Sequence, residues 1–121
     1  MKIAGIGLRA AATLADLQQA LELAGCPRPD ALATLTAKAE KPQIKALAET
    51  LSIPVLKLEE DDISGIPTLT CSPRIKARFG TGSVAEAAAL AAGGTGARLI
   101  CPRVKTTNGL ATAAIAERTA S

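Results

Sequence analysis

Lys2-Ile3-Ala4-Gly5-Ile6-Gly7-Leu8, running through Arg9 into Thr13-Leu14-Ala15-Asp16-Leu17, is the stretch on which the fold turns. The opening Met1-Lys2-Ile3-Ala4-Gly5-Ile6 loosely imitates a signal peptide. Arg9 interrupts the apolar run, however, and the pattern resumes as an amphipathic helix, so residues 2–8 read as a first β-strand. In the helix that follows, Thr13 suits the N-cap and Asp16 the positive first turn. Leu14, Leu17, Leu21 and Ala24 supply one apolar face, and Gly25 stops it.

The same alternation continues outward. Residues 31–36 read as a second strand, and residues 42–51 as a helix with Pro42 in its first turn and Ile44, Leu47, Ala48 and Leu51 at helical spacing. Residues 53–58 form a third strand that runs into Glu59-Glu60-Asp61-Asp62, a short exposed helix start. Residues 64–72 are the least regular, and 73–79 hold a helical turn or two. Gly80-Thr81-Gly82 precedes a strong helix over 83–92, with Ser83 and Glu86 spaced as a capping box. A fourth strand is expected over 97–101, a polar basic turn over 103–109 with the hairpin signal Thr107-Asn108-Gly109, and a last strand over 110–115. Strands alternating with helices predict an α/β chain, a single three-layer α/β/α domain with a mostly parallel or mixed sheet of about five strands.

The chain has 121 residues and a mass of 12.2 kDa, the length of one domain spanning 1–121. It contains no His, Trp or Tyr and one Phe. Without His there is no His-based triad and no His-ligated zinc, so neither a metal nor a cofactor is expected. Without aromatics there is no stacking platform for single-stranded nucleic acid, and no nucleic-acid motif is present. Cys26, Cys71 and Cys101 are odd in number, far apart and without C-x-x-C spacing, so they read as free thiols in a reducing cytoplasm, with Cys71 the most exposed. No stretch approaches the roughly 20 apolar residues of a membrane span. Net charge is +3. Residues 1–62 hold seven basic and nine acidic residues, whereas 63–121 hold seven basic and two acidic, so the second half favours an anionic partner.

Gly5-Ile6-Gly7-Leu8-Arg9-Ala10 fits the G-x-G-x-x-A dinucleotide fingerprint, but the end of strand two offers Thr36 where an acid is needed to hold a ribose. The glycines are better explained by close backbone approach, with Arg9 at the carboxyl end of strand one, where α/β sheets bind ligands. Gly80-Thr81-Gly82-Ser83 reads equally as an anion cradle of N–H groups and hydroxyls or as a capped helix with a flexible entry. Lys38 and Glu40 follow strand two and form either a surface ion pair or part of a site. Glu86 is a capping residue before it is a catalytic acid. Arg103 and Lys105 alternate so that both can face one side, and Arg98 points elsewhere. If the strand ends converge, Arg9, Lys38, Thr81, Ser83, Arg103 and Lys105 line a basic, hydroxyl-bearing cleft suited to a polycarboxylate.

The string Gly80-Thr81-Gly82-Ser83-Val84-Ala85-Glu86-Ala87-Ala88-Ala89-Leu90 resembles the cobalamin-biosynthesis family formed by the C-terminal domain of cobalt-precorrin-5A hydrolases and their free-standing relatives in the aerobic pathway. Gly5-Ile6-Gly7 with Arg9 is similar to the family's start, as are Thr36, Lys38 and Glu40 before a helix, and Pro102-Arg103-Val104-Lys105 before the last strand. The order and spacing agree over roughly residues 2–116. The family commonly has Cys after the second glycine, and this chain has Leu8 there, so no thiol function is carried over. The hydrolases carry a separate N-terminal domain, for which this chain is too short, so their activity is not carried over either.

The resemblance implies an anionic corrinoid or precorrin ligand, a macrocycle edged with acetate and propionate groups. Gly5, Gly7, Arg9, Lys38, Gly80, Thr81, Gly82, Ser83, Arg103 and Lys105 are the binding residues it implies. Three functions are compatible with it. One is a binding protein that holds or hands on a corrin precursor. Another is a lactone-opening hydrolase using Glu40 or Glu86 as general base. The last is an oligomeric scaffold for other enzymes of the pathway, with the Ala-rich helix packed inside or against a second subunit.

Overall fold

The computed structural model describes residues 1–71, 73–94 and 96–118. The strands are β1 (Lys2–Leu8), β2 (Ala31–Leu35), β3 (Val55–Leu58), β4 (Arg98–Lys105) and β5 (Ala111–Glu117). The helices are α1 (Leu14–Leu23), α2 (Thr36–Ala39), α3 (Pro42–Leu51), α4 (Glu60–Ile63), α5 (Pro73–Phe79) and α6 (Val84–Gly93). One mixed sheet has the order β3-β2-β1-β5-β4. β1, β2 and β3 pair in parallel, and β5 runs antiparallel to both β1 and β4. The expected α/β architecture is therefore present, with a sheet of mixed type.

Alternation along β1 divides the core. Ala4 and Ile6 face α1 and α3, where they pack with Leu17, Leu21, Leu32, Ile44, Leu47 and Ile115. Ile3 faces the opposite side and packs with Ala33 and Ala88, next to a cluster of Leu35, Ile63 and Ala87. On that side α6 presents alanines and lies against the strands at very close range. A Cβ on Gly5 would overlap the carbonyl of Ala85, so glycine is what allows α6 to approach β1. Size scaling predicts a folded surface of about 6,000 Å², and the chain exposes 6220 Å².

Boundaries depart from the sequence reading where other groups claim the backbone. β3 begins at Val55 rather than at residue 53 because Ser52 takes a left-handed conformation (φ 56°) and Ile53 donates to Ala48, closing α3. β4 runs on to Lys105, so Arg103 and Lys105 lie on a strand and the turn is confined to residues 106–110. The pairing of β4 with β5 shifts register on both sides of Cys101. Pro102 has no N–H to donate there, and the N–H of Arg103 is bound by Glu86 instead of by β5. The four-residue helix α2 is absent from the sequence reading and folds the chain back from β2 towards α3.

Candidate functional site

β1, β2 and β4 all end at the same edge of the sheet, and β5 starts there. The chain leaves β1 and β2 towards one side through α1 and α3, and reaches β4 on the other side of β1 through α6, on the opposite face. Ligands of open α/β sheets bind where the winding reverses in this way. A cavity of about 520 Å³ opens at that place.

Its wall carries five cations, Arg9, Lys38, Arg74, Arg103 and Lys105. Among the described residues none of the five is in an ion pair. Ile6, Leu8, Leu35, Ile75, Val84 and Leu110 supply the apolar part. Four segments place the five cations. The N–H of Arg9 donates to the carbonyl of Leu110 at 2.9 Å, tying the end of β1 to the start of β5. Lys38 is carried inward by α2, and Arg74 by α5, which Arg78 pins to α4 through a 2.9 Å pair with Glu60. Arg103 and Lys105 stand two apart on β4 and share a side, as their alternation predicted. Beyond Arg9 and Lys38 the wall continues into a hollow of about 420 Å³ that adds Lys41 and Gln43.

The turn below the cavity is well anchored. Asn108 accepts from the Thr106 hydroxyl at 2.7 Å and the Leu110 N–H at 3.0 Å, and donates to Asp16 on α1 at 2.9 Å. The N–H of Thr13, then Asn108, hold the Asp16 carboxyl below its ordinary range. Gly109 has φ 71°, the left-handed geometry this turn needs.

Of the sequence candidates, Gly7, Arg9, Lys38, Ser83, Arg103 and Lys105 line the cavity. Gly5, Gly80, Thr81 and Gly82 do not, and each has a packing role. Gly80 sits at φ 74°, the hydroxyl of Thr81 donates to Ile66 at 2.7 Å, and a Cβ on Gly82 would crowd Thr68, Thr70 and Cys71. Thr81 and Ser83 are completely buried. Ser83 caps α6 by accepting from the N–H of Glu86.

The expected capping box is only half formed, because the Glu86 carboxylate turns the other way. It accepts from the N–H groups of Leu69 (2.7 Å) and Thr70 (3.1 Å), the Thr70 hydroxyl (2.6 Å) and the N–H of Arg103 (2.9 Å). Burial pushes its pKa up, but these donors outweigh burial and hold the carboxyl below the ordinary value. Glu40 stands outside the cavity and is exposed, paired at 2.9 Å with Lys45 and at 3.0 Å with Lys57 rather than with Lys38. The hydrogen bonds from those lysines lower its pKa to about 2.

Arg74, Ile75, Thr34 and Thr112 line the cavity without having been singled out in the sequence. Arg74 follows Pro73 in a helix the sequence does suggest, but nothing local says that this helix covers the site. Cys26 is buried, Cys71 exposed and Cys101 half-buried, all free thiols. Among the described residues no cluster of metal-ligating side chains occurs, and no helix is long and apolar enough to cross a membrane.

The profile of a family described as Cobalamin synthesis G C-terminus matches residues 2–116. Among solved structures, the chain is similar to CobE, a protein from the cobalamin biosynthetic pathway, with 31% identity, TM-score 0.78, and coverage of 100% of this chain and 92% of that one. It is similar to the cobalamin biosynthesis protein chiG from Agrobacterium tumefaciens, with 31% identity, TM-score 0.72, and coverage of 99% and 100%. A cobalamin biosynthesis protein G homolog from Sulfolobus solfataricus shares the fold at 21% identity and TM-score 0.65, over 95% of this chain and 36% of that longer one. No curated protein matches the chain.

Proposed function

The chain belongs to the Cobalamin synthesis G C-terminus family and is a cobalamin biosynthesis protein, and from that premise we propose that it binds an anionic corrinoid or precorrin in the cavity at the carboxyl edge of its sheet. The observation that carries this reading is the set of five cations, none of them in an ion pair among the described residues, around a partly apolar hollow. A corrin macrocycle has an apolar ring face and a rim of carboxylates. Ile6, Leu8, Leu35, Val84 and Leu110 match the face, while Arg9, Lys38, Arg74, Arg103 and Lys105 match the rim, the arginines with two hydrogen bonds each. The cavity volume lies within the usual range for small-molecule sites, about 300–1,000 Å³.

The role is to hold a cytoplasmic corrin precursor and pass it on, alone or in contact with other enzymes of the pathway. A hydrolase reading has less support, because a general base needs a pKa near the working pH and both candidate carboxyls are held low. Neither Glu40 nor Glu86 lines the cavity.

Titrating the protein with hydrogenobyrinic acid and following its visible absorption tests the reading. A saturable shift is expected, weakened by salt and reduced about five- to tenfold in affinity by Arg103→Ala. Absence of a spectral change together with absence of heat in calorimetry refutes it. Chemical conversion of the ligand in the same cuvette restores the enzyme.

A further inference from the structure

Among the described residues lining the cavity there is no Asp, Glu, Asn or Gln. Its side-chain oxygens are the hydroxyls of Thr34, Ser83 and Thr112. The carbonyl of Ile6 takes the Thr34 hydroxyl at 3.3 Å, and that of Leu110 takes the N–H of Arg9 at 2.9 Å. The hydroxyl oxygen of Ser83 takes the N–H of Glu86 at 3.3 Å. The wall is therefore richer in positive donors than in acceptors, and its side-chain acceptors are neutral hydroxyls.

A carboxylate arm needs only donors. A carboxamide arm is neutral and brings two N–H donors that need acceptors of their own. Against this wall those donors meet cations and a few neutral hydroxyls, and the cations lose the charge that attracts them. Resting on the corrinoid reading, we propose that the cavity selects macrocycles whose peripheral arms are free carboxylates and discriminates against the same ring once arms are capped as neutral amides. The binding event then stands ahead of the class of reaction that converts those carboxylates into amides.

The experiment compares hydrogenobyrinic acid with its a,c-diamide on the intact chain, by calorimetry at 50 and 300 mM NaCl. Loss of two charge-assisted contacts of the half-exposed kind corresponds to affinity about tenfold lower for the diamide. The acid is also expected to lose more affinity than the diamide as salt rises, and Arg103→Ala to narrow the gap between them. A preference for the acid of threefold or more supports the selection. Both ligands binding within threefold, or the diamide binding tighter, overturns the selection and leaves the corrinoid reading standing. Binding of neither overturns both.

Discussion

Glu86 ties three segments together. Its carboxylate gathers the N–H groups of Leu69, Thr70 and Arg103, so one side chain fixes the loop before α5 and the bulge of β4 that presents Arg103 to the cavity. Glu86→Gln keeps the size but loses the charge and one acceptor, and is expected to cost about 2 kcal/mol in urea denaturation at pH 7. The pH dependence has a definite sign. The folded carboxyl lies below its ordinary value of 4.5, so its stabilising contribution is complete above that pH and is lost as pH falls through the folded value. The stability gap between wild type and Glu86→Gln should therefore close on acidification. A gap that stays constant down to pH 3 contradicts this account. The chain offered a partial signal for Glu86. The spacing from Ser83 marks a helix start, but donors that come from residues 69, 70 and 103 cannot be read from any local pattern.

Two glycines of β1 separate packing from site. Gly5 lies under α6, where a Cβ meets the backbone carbonyl of Ala85, while at Gly7 it meets the hydroxyl of Thr112. Backbone cannot step aside without moving the helix, whereas a hydroxyl can rotate. Gly5→Ala is expected to destabilise by about 3 kcal/mol and Gly7→Ala by about 1 kcal/mol or less, in urea denaturation. α5 provides the complementary test. Arg74 is exposed on a short helix, so Arg74→Ala should leave the unfolding free energy in urea within about 0.5 kcal/mol of wild type while lowering affinity for hydrogenobyrinic acid several-fold. Most helices and strands were legible from apolar spacing and caps, as with α1, α3 and α6. The end of β4 was not, because Pro102, Arg103 and Lys105 look like a polar turn until Glu86 and β5 hold them extended.

Taken as a whole, the molecule concentrates cations at one edge. The acidic residues that offset them locally, such as Glu59–Asp62 around α4, do not line the cavity. Such a field attracts anions over a Debye length and is screened by salt. Raising NaCl from 50 to 500 mM is expected to weaken hydrogenobyrinic acid at least tenfold, measured by the same absorption titration. Salt-insensitive binding would assign the affinity to the apolar wall instead.

Apolar periodicity, capping residues and glycine placement were enough to establish the α/β class, most element positions and the four motifs that carry the family resemblance, because those signals are local. The order of strands, with β5 inserted antiparallel between β1 and β4, was not readable. It depends on which side of β1 the chain crosses after β3. The same crossing brings Arg9, Lys38, Arg74, Arg103 and Lys105 from four separate segments to one cavity. It also sorts the glycine and hydroxyl motifs, placing Gly7 and Ser83 at the cavity and leaving Gly5, Gly80, Thr81 and Gly82 to packing. Sequence spacing cannot make that distinction, since a tight backbone approach to a helix and one to a ligand ask for the same residue.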